Sequence, residues 1–423
     1  MHRIDSPGNA DNLFRDRNPE AGIPGTIVWS KWLNAVQEEI AGLLAAREVD
    51  LDEEDNNQLA SLFSLAAFLP VQNNGVGPLL RADGDGSQLT GIESSQLSVV
   101  RDGAIGDGVA NDTAACQSTL DKAPGVVLFP APGVYMVDRL FPKSNTTVVI
   151  EPGAMVKFRP QAPTSHDWGG VFSVFGTELE PKENVFIIGG GVVDGSKGDH
   201  DFSDPESSEL NVECIDIEWA INCHVVAVTC INAEGDGIDF DHATDCTATR
   251  TRSVDCDGWG IHFSNGCRRC RGVLAVAVRC GVAHNRGGFD THQGGSDQAE
   301  DCGYVGCTTE DCRRGWLLGG PRSWINGGSD LGGGVSTNCI RITGDRCSVN
   351  AFIGRGSTLA GISITGNLNA VSGCNLRAES EAVAITGNNN TVTGNVLERI
   401  TAGDLLTDIG TGNIDANNIK QND

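Results

Sequence analysis

The chain has 423 residues, 55 of them glycine and 15 cysteine, and a formal net charge of −26, enough for one large domain and a small one. This acidity argues against nucleic acid as a partner. No apolar run approaches the ~20 residues that cross a bilayer, and the polar, charged first residues show no secretory signal.

Residues 1–70 read as a small helical module. Trp29, Trp32, Leu33, Val36, Ile40, Leu43 and Leu44 recur at helical spacing. A second helix is expected from about Asn56 to Ala67, with Asp52 as N-cap and Pro70 beyond its end. The wording Trp32-Leu-Asn-Ala-Val-Gln-Glu-Glu-Ile, followed by Asp55-x-x-Gln58-Leu, closely resembles an N-terminal module of phage and prophage tail fibre proteins. That resemblance implies a virion protein whose residues 1–70 face phage tail or baseplate proteins. Residues 71–98 are a linker or thin stalk, in which Asp-Gly-Ser-Gln-Leu-Thr-Gly-Ile (residues 85–92) looks like elements of tail fibre shafts.

The main domain is expected over 99–423. Asp112 or Thr113 can cap a short helix running to about Lys122. Strands are expected at Val126–Phe129 and Val134–Val137, with Pro130-Ala-Pro-Gly133 as the turn between them. This entry segment resembles that of the pectate-lyase-like β-helix family, common in phage tailspikes. There the helix covers the open end of the solenoid, and a sheet edge must be covered in some way.

Further along, cysteines repeat as Cys246-x₉-Cys256, Cys270-x₉-Cys280 and Cys302-x₉-Cys312. The third unit is offset by extra residues, read as the polar run Gly287–Ala299. A weaker copy places Gly237-Ile-Asp-Phe over Gly260-Ile-His-Phe. A short period that tolerates insertion at one place marks a solenoid. The β-rich segments Val225–Val228, Ile238–Phe240, Ile261–Phe263 and Val273–Val278 make its coils strands. The fold class is therefore all-β, a parallel β-helix, right-handed as the resemblance to the pectate-lyase-like family implies, with glycine at its tight corners. The cysteines suit a stacked interior ladder as small hydrophobes, reduced and buried, consistent with assembly in the host cytoplasm. Cys267-x₂-Cys270 lacks a partner pair at metal spacing, so neither metal nor cofactor is expected. Ile342-Thr-Gly, Ile364-Thr-Gly-Asn and Ile385-Thr-Gly-Asn continue the coils, with Asn at corners, and the last coil is expected to need a partner over its edge.

Charge is uneven. Residues 201–245 carry twelve acidic side chains and no Lys or Arg, whereas 246–289 carry seven Arg against Asp255 and Asp257. The expected arrangement is an acidic edge and an Arg-rich edge flanking one groove. Strand alternation turns Ile238, Phe240, Ile261 and Phe263 inward, leaving Asp239, Asp241, His262 and Ser264 outward. The repeat offset sets Asp239 and Arg286 beside His262, Glu234 beside Asp257, and Asp236 beside Trp259. Asp290, His292 and Gln293 join from the inserted run, and Trp316 lies on the coil after it. Glu234, Asp236, Asp239, Asp257 and His262 are the candidate catalytic residues. Asp241, Trp259, Arg286, Asp290, His292 and Trp316 are candidates for binding substrate, the tryptophans by stacking on sugar faces.

Paired carboxylates hydrolyse glycosides, and on adjacent coils Glu234 and Asp257 would give retention of configuration. A His or Arg beside a carboxylate instead suits lyase chemistry on uronic acids. Gly235-Asp-Gly-Ile-Asp-Phe is similar to the segment that carries catalytic Asp in polygalacturonase-like β-helices. The paired Asp-Asp is absent, His262 is displaced from the family's Gly-His-Gly position, and no Arg-x-Lys motif is evident. Only Asp236 and Asp239 are counterparts. The resemblances together imply a homotrimeric phage tailspike of the virion tail that binds and cleaves a bacterial surface polysaccharide. The alternative is a non-enzymatic tail fibre or adaptor whose β-helix is a receptor-binding or structural rod.

Overall fold

The computed structural model describes residues 96–160, 169–199, 212–281, 286–291, 297–332, 337–399 and 404–422, together with Asn18, Glu20, Ala21, Leu33, Asn34, Val36 and Glu38. The chain forms two compact units, Met1–Glu93 and Ser94–Asp423. In the first unit Leu33, Asn34, Val36 and Glu38 are helical, inside the first expected helix. The second expected helix and the stalk motif lie outside the described residues.

In the second unit the coils build three long parallel sheets, of thirteen, thirteen and ten strands, the first two coils and the last contributing to the first two sheets alone. A representative coil runs His224–Val226, Thr229–Ile231, then Ile238–Asp241. Inward side chains stack on their own kind. In the third sheet Ile215, Ile238, Ile261, Phe289, Trp316, Ile340 and Ile362 occupy one register position, and all are buried. The helix is Thr113–Asp121, with Cys116 and Leu120 buried in the core. Asp112 is its N-cap residue but makes no capping bond. Its carboxylate instead accepts the backbone N–H groups of Ile105 at 2.7 Å and Gly106 at 3.0 Å, so it fixes the preceding turn.

All fifteen cysteines are free and buried. Along one interior column the Cys223 N–H points at Cys246 Sγ (3.3 Å) and the Cys270 N–H at Cys302 Sγ (3.4 Å). Further on, asparagine takes over the same slot. The N–H groups of Cys347, Asn369 and Asn390 donate to the side-chain oxygens of Asn369, Asn390 and Asn413 at 2.7, 2.8 and 2.7 Å.

The corners differ from the glycine expectation. Many are single left-handed non-glycine residues, among them Asp245, Arg269, Asp301 and Arg322, with φ between 55° and 57°. Adjacent coils pair these four, Arg269 with Asp245 and Arg322 with Asp301, so an ion pair accompanies the strained backbone at these corners. The segment read as one strand at Val273–Val278 is two, Arg271–Val273 and Val276–Val278, split at Leu274 with φ 52°. The run read as an insertion after Gly287 contains a regular third-sheet strand, Phe289–Thr291, in register with Ile261–Phe263.

Candidate functional site

Because inward residues fix the register, the outward residues of the third sheet form a row, one per coil. The row reads Ser173, Asp216, Asp239, His262, Asp290, Leu317, Arg341 and Ser363. The neighbour of His262 on the following coil is thus Asp290, which corrects the expectation of Arg286. A cavity of about 640 Å³ opens over this row. Its lining includes Glu213, Asp216, Glu218, Asp236, Asp239 and Asp241, then Trp259, His262, Arg286 and Arg314.

His262 is the centre. Its Nδ1 lies 2.8 Å from Asp236 Oδ2 and 3.1 Å from Asp239 Oδ1, and its Nε2 lies 3.3 Å from Asp290 Oδ2. Asp236 is held in turn by the Trp259 backbone N–H at 2.5 Å and approached by Arg286 at 3.7 Å. Asp239 also accepts from Ser264 Oγ at 3.5 Å, and Asp241 from Asn265 Nδ2 at 2.9 Å.

Burial alone would strip the proton from His262, but Asp239 and Asp236 outweigh it and hold the imidazolium well above the usual histidine range. On the preceding coil the balance is opposite. Burial, then the charges of Asp239 and its neighbours, pushes Asp216 well above the carboxylate range. Burial with Asp216 and Asp239 does the same to Glu213. Burial raises Asp239 too, against the pull of His262. The site therefore sets buried carboxyls that favour the protonated form beside an imidazole that favours the charged form.

Two donor sets bring their ligand atoms within 4.8 Å of one another: Asp236, Asp239 and His262, and Glu213, Asp216 and Asp239. The all-oxygen set is the one that suits a hard divalent cation, whereas in the first set His262 Nδ1 is engaged with two carboxylates.

Of the other candidate residues, Trp259 and Asp241 line the cavity. Trp316 does not, since it is fully buried and packs on Phe289, Tyr304 and Phe352. It stacks on core aromatics rather than on sugar, because it shares the inward register of Ile238. Glu234 and Asp257 lie together as expected but at a corner away from the cavity lining. There Lys197 Nζ reaches Asp257 Oδ1 at 2.8 Å and the Asp255 carbonyl. Their carboxylates are therefore not the pair that faces a ligand in this cleft. His292 lies outside the described residues. Glu213, Asp216, Glu218 and Arg314 were not anticipated, although Ile215-Asp-Ile repeats Ile238-Asp-Phe at the offset that relates Asp239 to His262. Of the seven expected arginines only Arg286 lines the cavity. Arg269 and Arg279 are exposed and tied to Asp245 and Asp255.

Neither a protein-family model nor a curated protein sequence matches the chain. Solved structures do. A mutant tailspike protein of E. coli bacteriophage HK620 aligns at TM-score 0.59 and 15% identity, over 87% of this chain and 71% of that one. The same phage's tailspike in complex with a pentasaccharide aligns at 0.58 and 14%, over 77% and 67%. The A-module of mannuronan C-5 epimerase AlgE6 of Azotobacter vinelandii aligns at 0.56 and 14%, over 77% and 99%. This chain is a right-handed parallel β-helix. A family 28 exopolygalacturonase of Yersinia enterocolitica shares the fold at TM-score 0.50 and 12% identity, over 77% and 78% of the two chains. At these identities the likeness is one of fold.

Proposed function

We propose that this β-helix is a phage tailspike that binds a bacterial surface polysaccharide along the third sheet and hydrolyses it with retention at Asp216 and Asp239. The observation that carries the reading is a carboxyl raised by burial, Asp216, next to Asp239 on the adjoining coil, on the wall of an open cleft. Their oxygens lie within 4.8 Å, close to the ~5–5.5 Å of retaining glycosidases. Neutral Asp216 gives its proton to the glycosidic oxygen as the C–O bond breaks. The Asp239 carboxylate, steadied by the His262 imidazolium, bonds to the anomeric carbon. Water then displaces Asp239 and returns a proton to Asp216. The buried imidazolium disfavours lyase chemistry with a histidine base, because His262 already holds its proton among three carboxylates. The tailspike complex with a pentasaccharide supports the substrate class.

Attachment to tail or baseplate proteins through residues 1–70, assembly in the host cytoplasm into the virion tail, and a homotrimeric state complete the reading. They rest on the resemblance of the N-terminal module and on tailspike architecture. The test is incubation with surface polysaccharides of candidate hosts. New reducing ends of retained anomeric configuration, without unsaturated products, are expected. Unsaturated ends would replace hydrolysis by elimination, and no cleavage of any glycan that binds would leave a receptor-binding rod. Sedimentation as a stable monomer at micromolar concentration would remove the trimer.

A further inference from the structure

The cleft changes sign along its length. Toward the N-terminus its lining is carboxyl: Glu213, Asp216, Glu218, Asp236, Asp239 and Asp241. Past Asp290 the outward row continues through Leu317 to Arg341, and Arg314 enters the lining just before the strand Trp316–Leu318. The surface arginines nearby are tied to acids, as Arg269 is to Asp245 and Arg322 to Asp301. Arg314 and Arg341 have no ion-pair partner among the described residues. Burial first, then the charges of Arg341 and Arg313, weakens the hold of Arg314 on its proton, with Asp290 only partly opposing. Arg314 in the cleft lining and Arg341 on the row beside the lining residue Leu317 thus set two guanidinium groups near one end of a ligand-sized cleft, in a protein with a net charge of −26. Such crowding is unfavourable until an anion fills it, and the planar fork of arginine matches carboxylate, sulfate and phosphate oxygens.

We propose that Arg314 and Arg341 form an anion subsite that selects a glycan bearing a negatively charged substituent, a carboxylate or a sulfate or phosphate ester. This deepens the reading of the cleft as a glycan site and rests on it. Arg314 and Arg341 belong to the second and third coils past His262, and coils are ~4.8 Å apart, so the charged sugar sits about two to three coils to the C-terminal side of His262, clear of the acidic wall. The acidic half would repel that substituent, so the arginines also fix the direction in which the glycan lies.

The test reads binding of small probes, so it stands apart from cleavage. The full-length protein is titrated with glucuronate, inorganic sulfate, inorganic phosphate and glucose, following the side-chain N–H signals of labelled arginine and the heat of binding. At least one anion should bind and glucose should not. Arg314→Gln and Arg341→Gln, each with unchanged circular dichroism, should weaken that binding at least ~10-fold, the loss expected for a charge-assisted hydrogen bond. Preference for glucuronate over the inorganic anions assigns a uronic acid, and the reverse assigns an ester. If no anion binds, or binding ignores both substitutions, the subsite does not exist, even if the cleft goes on to cleave a neutral glycan. If the anion binds through these arginines while no glycan is ever cleaved, the subsite stands and the hydrolase reading falls.

Discussion

The coils around Val212–Thr291 and those around Ile340–Ile385 belong to the same sheet and share one register, yet their outward faces have nothing in common. Inward, Ile215, Ile238 and Ile261 in the first group correspond to Ile340, Ile362 and Val383 in the second, and all are buried. Outward, the first group presents Asp216, Asp239, His262 and Asp290, and the second Arg341, Ser363 and Ala384. The interior slot changes in parallel, from sulfur acceptors at Cys246 and Cys302 to amide acceptors at Asn369 and Asn390. Core packing therefore sets where side chains stand, and leaves their chemistry free to differ from coil to coil. A buried carboxyl costs free energy unless paired, so concentrating several on three coils needs a compensating reason. Alanine or serine in the later coils avoids that cost.

The largest expected effect breaks the comparison at one row position. Asp239→Asn and Asp216→Asn should each lower cleavage of a verified glycan by at least ~10²-fold, the low end for acid–base catalysis. Each preserves shape, but stability should separate them: it should hold or rise in Asp216→Asn, which removes a buried acid, and fall in Asp239→Asn, which takes a charge partner from the buried His262 imidazolium. Ser363→Ala occupies the same row three coils past Asp290 and should leave turnover unchanged. Equal loss in all three variants would mean that turnover reports the solenoid and not the cluster.

How much of this was legible depends on which force set each position. Inward residues were readable because Ile238, Phe240, Ile261 and Phe263 alternate with polar neighbours, and the cysteine repeat supplied the period. The pairing of Asp239 with His262 followed from that period. The sequence puts Asp290 among the substrate-binding residues but not beside His262, because the step between those coils is longer than the repeat and a constant period points to Arg286 instead. Trp316 fails as a binding residue for a different reason. A tryptophan looks like a sugar platform until its register with Phe289 shows it facing inward. Glu234 and Asp257 stand one period apart, but they lie at a corner, and nothing in a sequence period says which way a corner residue turns. Arg314 could not be singled out, since a lone arginine beside another carries no pattern. Its significance comes from the cleft around it.

A smaller effect sharpens the contrast between the cysteine and asparagine stretches of the interior column. Asn390→Ala removes the acceptor of the Asn369 N–H (2.8 Å) at a buried position, leaving a buried donor unsatisfied at about 1–3 kcal/mol. Cys270→Ala removes a small hydrophobe whose thiol donates only weakly, to the carbonyls of Ala243 at 3.3 Å and Arg268 at 3.6 Å, and should cost about 1 kcal/mol. Chemical denaturation of the two variants should rank Asn390→Ala as the less stable. The reverse order would make packing of the thiol, not the amide bond, the stronger element of the ladder.

The smallest expected effect concerns pH, and it too should separate the two regions. Glu234 is buried at its corner, and burial, then the nearby charge of Asp257, pushes its carboxyl up to about 7 against the pull of Lys197. A folded-state pKa above the unfolded value of about 4.3 means that the folded state binds the extra proton. The stability from that proton is fully present below the unfolded value and is lost as pH rises through about 7. Glu213 and Asp216 are raised in the same direction, so their contribution fades in the same sense at higher pH, while the raised His262 keeps its own until its proton leaves. Hydrogen exchange at pH 5 and pH 8, corrected for intrinsic rates, should therefore show lost protection at pH 8 in the coils spanning 212–264. The coils spanning 340–399 should change little. Glu234→Gln should remove part of the difference, on the order of 1 kcal/mol once solvent screening is allowed for. The side-chain amide keeps the volume and cannot ionise beside Asp257, so protection at pH 8 should move toward its value at pH 5. If Glu234→Gln leaves the pH 8 exchange of the 212–264 coils as it was, the corner carboxyl is not ionising there, and the loss belongs to the cleft residues Glu213 and Asp216.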